Sequence, residues 1–195
     1  MKGRFILSLC DYSGVWSRPY AEAGYEVIRV DLHNAVHRDV RLLEFRDVPV
    51  HGILAAPPCT AFSKAGAWKW EEKGVAAVLE GLSIVDACLR AVAIYRPVWW
   101  ALENPAGRLR RWLGPPAWSF QPCDFGDPWT KRTYLWGSFI PPGPLLSETA
   151  RSPVEPDPLP GAPGSNDRTT RLSGGDRRRS ETPPGFARAF FEANP

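Results

Sequence analysis

The chain lacks most of the features that reveal a function at first reading. Its four cysteines, Cys10, Cys59, Cys88 and Cys123, lie far apart and include no Cys-x-x-Cys pair. That spacing indicates neither a zinc knuckle nor a disulfide framework. No apolar run is long enough to span a bilayer. The run from Phe5 to Cys10 ends at Asp11, too soon for the apolar core of a signal peptide, and a cytoplasmic protein is expected. Net charge is only +3, which permits a nucleic-acid partner without demanding one. Any such partner must be read from local patches. Residues 141–180 have few large apolar side chains and many prolines, so that interval cannot build a core.

What is present suffices for one domain: 195 residues, 44% of them hydrophobic, with nine Trp. Phe5 to Cys10 reads as a first buried strand, followed by a turn at Asp11-Tyr12-Ser13-Gly14 and a helix through Pro19 to Ala23. Glu26 to Val30 reads as a second strand, ending at Asp31. Strand, glycine turn, helix, strand and acid is the layout of a nucleoside-cofactor half-site, where the acid accepts from ribose hydroxyls. Such acids serve equally as ordinary helix caps.

The stretch around which the chain is organised runs from His51 to Ser63. Ile53 to Ala56 reads as a buried strand, stopped by Pro57-Pro58, with Cys59 directly after. A thiol held stiffly at the carboxyl edge of a sheet is a candidate nucleophile, because covalent chemistry needs close positioning. The other reading is a half-buried structural cysteine. Val75 to Arg96 is the clearest helix, with Val75, Val78, Leu79, Leu82, Val85, Leu89, Val92 and Ala93 on one face and Cys88 beside it as core. Pro97 ends it, and a strand from Val98 to Leu102 delivers Glu103-Asn104-Pro105. A carboxyl at such a strand end is partly desolvated and keeps a proton available. Alternatively, Glu103 caps a helix from Gly107 to Leu113. Trp118 to Gln121 reads as a short strand. Thr182 is expected as the N-cap of a last helix that turns Phe186, Ala189 and Phe190 to one side.

Ala55-Ala56-Pro57-Pro58-Cys59-Thr60-Ala61-Phe62-Ser63 resembles the catalytic Pro-Cys motif of the cytosine-C5 DNA methyltransferases, with Thr60 where that family has Gln. The remaining segments follow in the family's order. Tyr12-Ser13-Gly14 stands where it has Phe-x-Gly, although Cys10 occupies the place of its leading Asp and Trp16 lies near that of its second glycine. Asp31-Leu32 matches the ribose-binding acid and adenine-stacking neighbour, and Asp39-Val40 the pair that reads the adenine edge. Glu103-Asn104-Pro105 resembles Glu-Asn-Val. In the segment from Phe125 to Trp136, Lys131 takes the first arginine's place, Thr133 the second's, and Arg132 lies between. Ser180 and Thr182-Pro183 resemble the last motif, Asn-x-Val-Pro.

The resemblance implies an α/β, doubly wound, mainly parallel Rossmann-like methyltransferase fold. Residues 1–140 would be the catalytic domain, 141–180 a linker in place of a target-recognition domain, and 181–195 a returning helix. It also implies S-adenosylmethionine as donor and double-stranded DNA, with a flipped cytosine, as acceptor. Cys59 would add to C6, Glu103 would bind and protonate N3, and Lys131 would steady charge on the ring, with no metal involved. Around the cofactor it implies Tyr12, Ser13, Gly14, Asp31, Leu32, Asp39, Val40 and Pro57, with Ser180 and Thr182 from the tail. Towards DNA it implies Pro58, Ser63, Asn104, Arg132 and Thr133. Lys64 and Trp68, in a glycine-flanked stretch that either closes over DNA or is anchored to the body by one of its tryptophans, join them. Arg177, Arg178 and Arg179 suit phosphates, or belong to a solvated linker. A compact enzyme of this kind suits a phage or a restriction–modification system. Other acceptors (a nucleotide, RNA or modified DNA) or an S-adenosylmethionine-like donor stay open, as does a non-catalytic relative, although that would not need both Cys59 and Glu103.

Overall fold

A computed structural model describes residues 3–33, 38–63, 70–127, 130–143 and 181–195. Ser180, Lys64, Trp68, Arg177, Arg178 and Arg179 lie outside the described residues, as does most of the interval 141–180. The chain forms β1 (Phe5–Leu9), α1 (Arg18–Glu22), β2 (Glu26–Val30), β3 (Val50–Ala55), α2 (Trp70–Tyr95), β4 (Trp99–Pro105), α3 (Arg110–Leu113), β5 (Trp118–Phe120), β6 (Thr133–Ser138) and α4 (Pro184–Ala193). The strands make one sheet in the order β2-β1-β3-β4-β6-β5. Neighbours from β2 to β4 are parallel, and β6 runs antiparallel to both β4 and β5. This is a doubly wound, mainly parallel α/β architecture of the Rossmann-like kind.

The strands form because apolar residues occupy both of their faces, as a sheet covered on two sides requires. Leu7 and Leu9 of β1, Ile53 of β3, Leu102 of β4 and Trp136 of β6 pack on one face, under α2. Ile6, Leu54, Ala101 and Leu135 point to the other, where the turn before α1, α1 itself and α4 bring Trp16, Tyr20, Phe186 and Phe190. Side chains of this size contribute about 1.5–3 kcal/mol each when fully buried. Gly52 is required by close packing: a Cβ there would meet the Trp99 ring at 2.1 Å.

Several local expectations change. β3 begins at Val50, three residues earlier than the apolar run suggested. α2 starts at Trp70, but Gly74 breaks it with φ 63° and ψ −171°, so the regular helix follows that residue. Val75 and Leu79, expected on its buried face, are exposed because the sheet underlies only the later turns. The helix expected from Gly107 is a single turn at Arg110–Leu113. Thr182 is not the N-cap of α4; Pro183 occupies that position and Thr182 is buried one residue before it. β6 is an interior strand, flanked by β4 and β5.

The connection from β1 goes outward to β2, whereas β3 lies on the other side of β1. That reversal opens a crevice at the carboxyl ends of β1 and β3, where open α/β sheets bind ligands. Among the described residues, no helix is long and apolar enough to cross a membrane.

Candidate active site

At the carboxyl end of β3, Pro57 and Pro58 carry the chain out of the sheet into a turn whose pivot is Cys59. The Cys59 carbonyl accepts from the N–H groups of Phe62 and Ser63, both at 2.9 Å. Phe62 is wholly buried and inserts against Gly81 of α2, where a Cβ would lie 2.7 Å from its ring. A second clasp joins this turn to the residues after β4. Ser63 bridges Gly107, the Arg108 N–H donates to the Phe62 carbonyl at 2.8 Å, and Arg108 Nε donates to the Ala61 carbonyl at 2.8 Å. Only glycine fits at 107, since a Cβ would stand 2.0 Å from the Phe62 carbonyl oxygen. Asn104, expected to face DNA, is fully buried, and its Nδ2 donates to the Pro57 carbonyl at 2.9 Å. These contacts hold the Cys59 turn against the end of β4.

Glu103 thereby comes to the same edge. It is 6% exposed, and its partner is Lys131, whose Nζ lies 3.8 Å from Oε1. Glu103 does not cap α3, whose N-cap is Leu109 with no side-chain bond. Lys131 precedes β6, and the antiparallel direction of that strand puts its start beside the end of β4, where Thr133 pairs with Pro105. Thr133 is buried too, its hydroxyl donating to the Lys131 carbonyl at 2.8 Å, while Arg132 is exposed. Burial pushes the Glu103 carboxyl up from the ordinary glutamate range, and Lys131 opposes that shift. Burial likewise raises the Cys59 thiol. Lys131 and a hydrogen bond with the Ser63 hydroxyl favour its thiolate, and Glu103 disfavours it. Ser63, expected against DNA, thus serves the sulfur. Cys59, Glu103 and Lys131 form one electrostatic unit.

The crevice at the β1–β3 reversal is a separate recess of about 70 Å³, lined among others by Cys10, Asp31, Leu32, Asp39, Val40 and Pro58. Asp31 is not a helix cap; its Oδ1 accepts from the His33 N–H at 2.7 Å in a tight turn. Leu32 presents an apolar side chain that is 48% exposed. Asp39 accepts from the Arg41 side chain, which draws its carboxyl below the ordinary range, and Val40 is buried behind it. Tyr12 lies at the margin, its ring edge-on to His33. Pro57 is buried and Pro58 exposed.

Sequence reading missed Asp11. Buried at the foot of the Gly14 turn, its carboxylate accepts from Ser8 Oγ at 2.8 Å, Ser17 Oγ at 2.6 Å and the Gly14 N–H at 2.8 Å. Hydroxyls three before and six after the acid were the available signal. Cys10 adopts φ 57°, unusual for a residue with a side chain, and its thiol meets that of buried Cys88. Among the described residues, no group of three or more His, Cys, Asp and Glu side chains is arranged to hold a metal ion.

No protein-family model matches the chain, and no curated sequence does. Forty-five chains of solved structures match it. One is an E. coli protein described provisionally as a DNA modification methyltransferase encoded within a prophage. It is 20% identical, with a TM-score of 0.47, and the match covers 80% of this chain and 52% of that one. The chain thus spans about half the length of that protein. Likeness at this level bears on neither activity nor substrate.

Proposed function

We propose that the chain is a DNA methyltransferase that transfers a methyl group from S-adenosylmethionine to C5 of cytosine. The observation that carries the reading is the convergence of Cys59, Glu103 and Lys131, from three separate stretches, on one sheet edge, with Lys131 3.8 Å from Glu103 and both acting on the thiol. A nucleophile, a proton-holding acid and a cation are the parts that addition to a pyrimidine ring requires.

The neighbouring crevice suits the donor: an acid at the end of β2 for ribose hydroxyls, an exposed Leu32 for the adenine face, and Asp39 with Val40 as a wall. When bound there, S-adenosylmethionine supplies an electrophilic methyl group. The rest of the chemistry belongs to the chain's side chains. Cytosine, flipped out of duplex DNA, meets Cys59, whose sulfur bonds to C6. Glu103 holds a proton at N3, so the electrons displaced by sulfur collect at C5 rather than as a separated negative charge. Lys131 keeps Glu103 in place and favours the thiolate when sulfur is released. After methylation, water takes the C5 proton, its electron pair forms the C5–C6 double bond as Cys59 departs as thiolate, and the N3 proton returns to Glu103, so aromaticity returns.

Fluorine at C5 cannot leave as a proton, so it blocks the last step. Duplex DNA containing 5-fluorocytosine, incubated with the protein and S-adenosylmethionine, should form an adduct that survives denaturing electrophoresis and maps to Cys59. Cys59→Ser should form none, and Glu103→Gln should slow trapping at least a hundredfold, within the range that acid–base groups contribute. An adduct that persists in Cys59→Ser, or methylated DNA produced without any trapping, would overturn the mechanism.

A further inference from the structure

The face that holds DNA is not accounted for by the three catalytic residues, since Glu103 and Lys131 are buried and Cys59 is half-buried at its turn. The segment after Glu103 supplies a surface. Between Glu103 and Asp124 the sequence contains no acid, but it carries Arg108, Arg110 and Arg111 beside Trp112. The two flanking acids are engaged elsewhere: Glu103 faces Lys131, and the Asp124 side chain accepts from the Gln121 N–H. Arg110 and Arg111 are exposed on α3. Trp112 is 43% exposed, its ring 5.8 Å from that of Phe62 in the Cys59 turn. Exposed Arg132 adjoins the same rim, since its carbonyl accepts from the Ala106 N–H at 2.8 Å.

We infer that the turn at Arg108–Trp112, with Arg132, forms a positively charged lip that docks the phosphate backbone of duplex DNA beside Cys59. The inference rests on the reading of the preceding section for the identity of the polymer, but it assigns residues of its own. Cations clustered without acids attract a polyanion, and arginine matches phosphate geometry in two-pronged fashion. The lip is fixed to the nucleophile's turn by main-chain bonds at Gly107 and Arg108, so a phosphate gripped there keeps a constant distance from the sulfur. Burial first, and the neighbouring Arg111 charge second, push the Arg108 guanidinium below its ordinary range.

The test uses the full chain and fluorescently labelled duplex DNA, with anisotropy measured across a salt series. Each phosphate neutralised adds about 0.9 to the slope of log K against log salt. Arg110→Ala/Arg111→Ala should therefore lower the slope by about 1.8, and Arg110→Lys/Arg111→Lys should restore it. Arg4→Ala/Arg96→Ala removes equal charge from the opposite edge of the sheet and should leave the slope unchanged. In the 5-fluorocytosine assay the α3 double variant should still form the Cys59 adduct at saturating DNA, with half-saturation at higher concentration. An unchanged slope with normal trapping would overturn the lip and leave the catalytic reading standing. A lowered slope in a chain that never traps cytosine supports the lip and overturns the catalytic reading. Single-stranded RNA competing better than duplex DNA would overturn the assigned partner.

Discussion

Replacing Lys131 by methionine removes the cation that faces Glu103 while keeping most of the side chain's length. At 3.8 Å, and with an effective dielectric near 20, the pair is worth about 4 kcal/mol in direct attraction. Part of that offsets the cost of burying two charges, and removing one partner leaves the other uncompensated. Glu103 can escape by taking a proton, so the penalty depends on pH. Its folded pKa lies above the ordinary value of 4.5, because burial outweighs Lys131. The stability linked to such a group is fully present below the ordinary value and is lost as pH rises through the folded one. Without Lys131 the folded value moves further up, and the loss on raising pH becomes larger. Urea unfolding should therefore find the Lys131→Met variant close to the unaltered chain at pH 4.5 but about 2–4 kcal/mol less stable at pH 8. Glu103→Gln combined with Lys131→Met should recover most of that difference at pH 8, as coupled neighbours do. An offset of the same size at both pH values, or one that Glu103→Gln does not relieve, would refute the claim that these two groups face each other.

Gly107→Ala places a methyl 2.0 Å from the Phe62 carbonyl, so the clasp must open. Thermal unfolding should show a loss of about 1–3 kcal/mol, and alkylation of Cys59 should quicken as its turn loosens. Asp31→Ala should weaken S-adenosylhomocysteine at least tenfold by calorimetry, the loss of one charge-assisted hydrogen bond at about 1.5–3 kcal/mol. Unchanged affinity in the folded variant would remove Asp31 from the cofactor's contacts.

The central parts of the fold were legible because they depend on local pattern. The apolar runs of β1, β2 and β4, and the prolines that stop the chain after β3, fix where Cys59 leaves the sheet and bring Glu103 to the carboxyl end of β4. What the pattern could not convey was chain direction in the second half. Lys131 reaches the site because β6 runs backwards, so a residue that precedes one strand joins Glu103 near the end of β4 and Cys59 after β3. The stripe on α2 misled at Val75 and Leu79 for a related reason: periodicity marks a face but not how much of it the sheet covers. Asn104 and Thr133 look like ligand-facing polar residues in sequence, yet both are bound internally. Short polar side chains beside a catalytic residue serve equally as struts, and only packing separates the two uses. Asp11 was overlooked because its partners come from a strand, a turn and the start of a helix.

The aromatic layer formed by Trp16, Tyr20, Trp99, Phe120, Phe125, Phe186 and Phe190 has a consequence during synthesis. Five of those rings belong to the first 125 residues, and the other two come from α4. A ribosome adding about 5–20 residues per second therefore leaves this face uncovered for several seconds after the sheet itself has emerged. In that interval the half-made chain displays Trp16, Trp99 and Phe120 to whatever else is nearby. Covering them falls to Phe186, wholly buried and 3.9 Å from the Phe120 ring between centroids, so the nascent chain is most prone to adhesion just before that residue arrives.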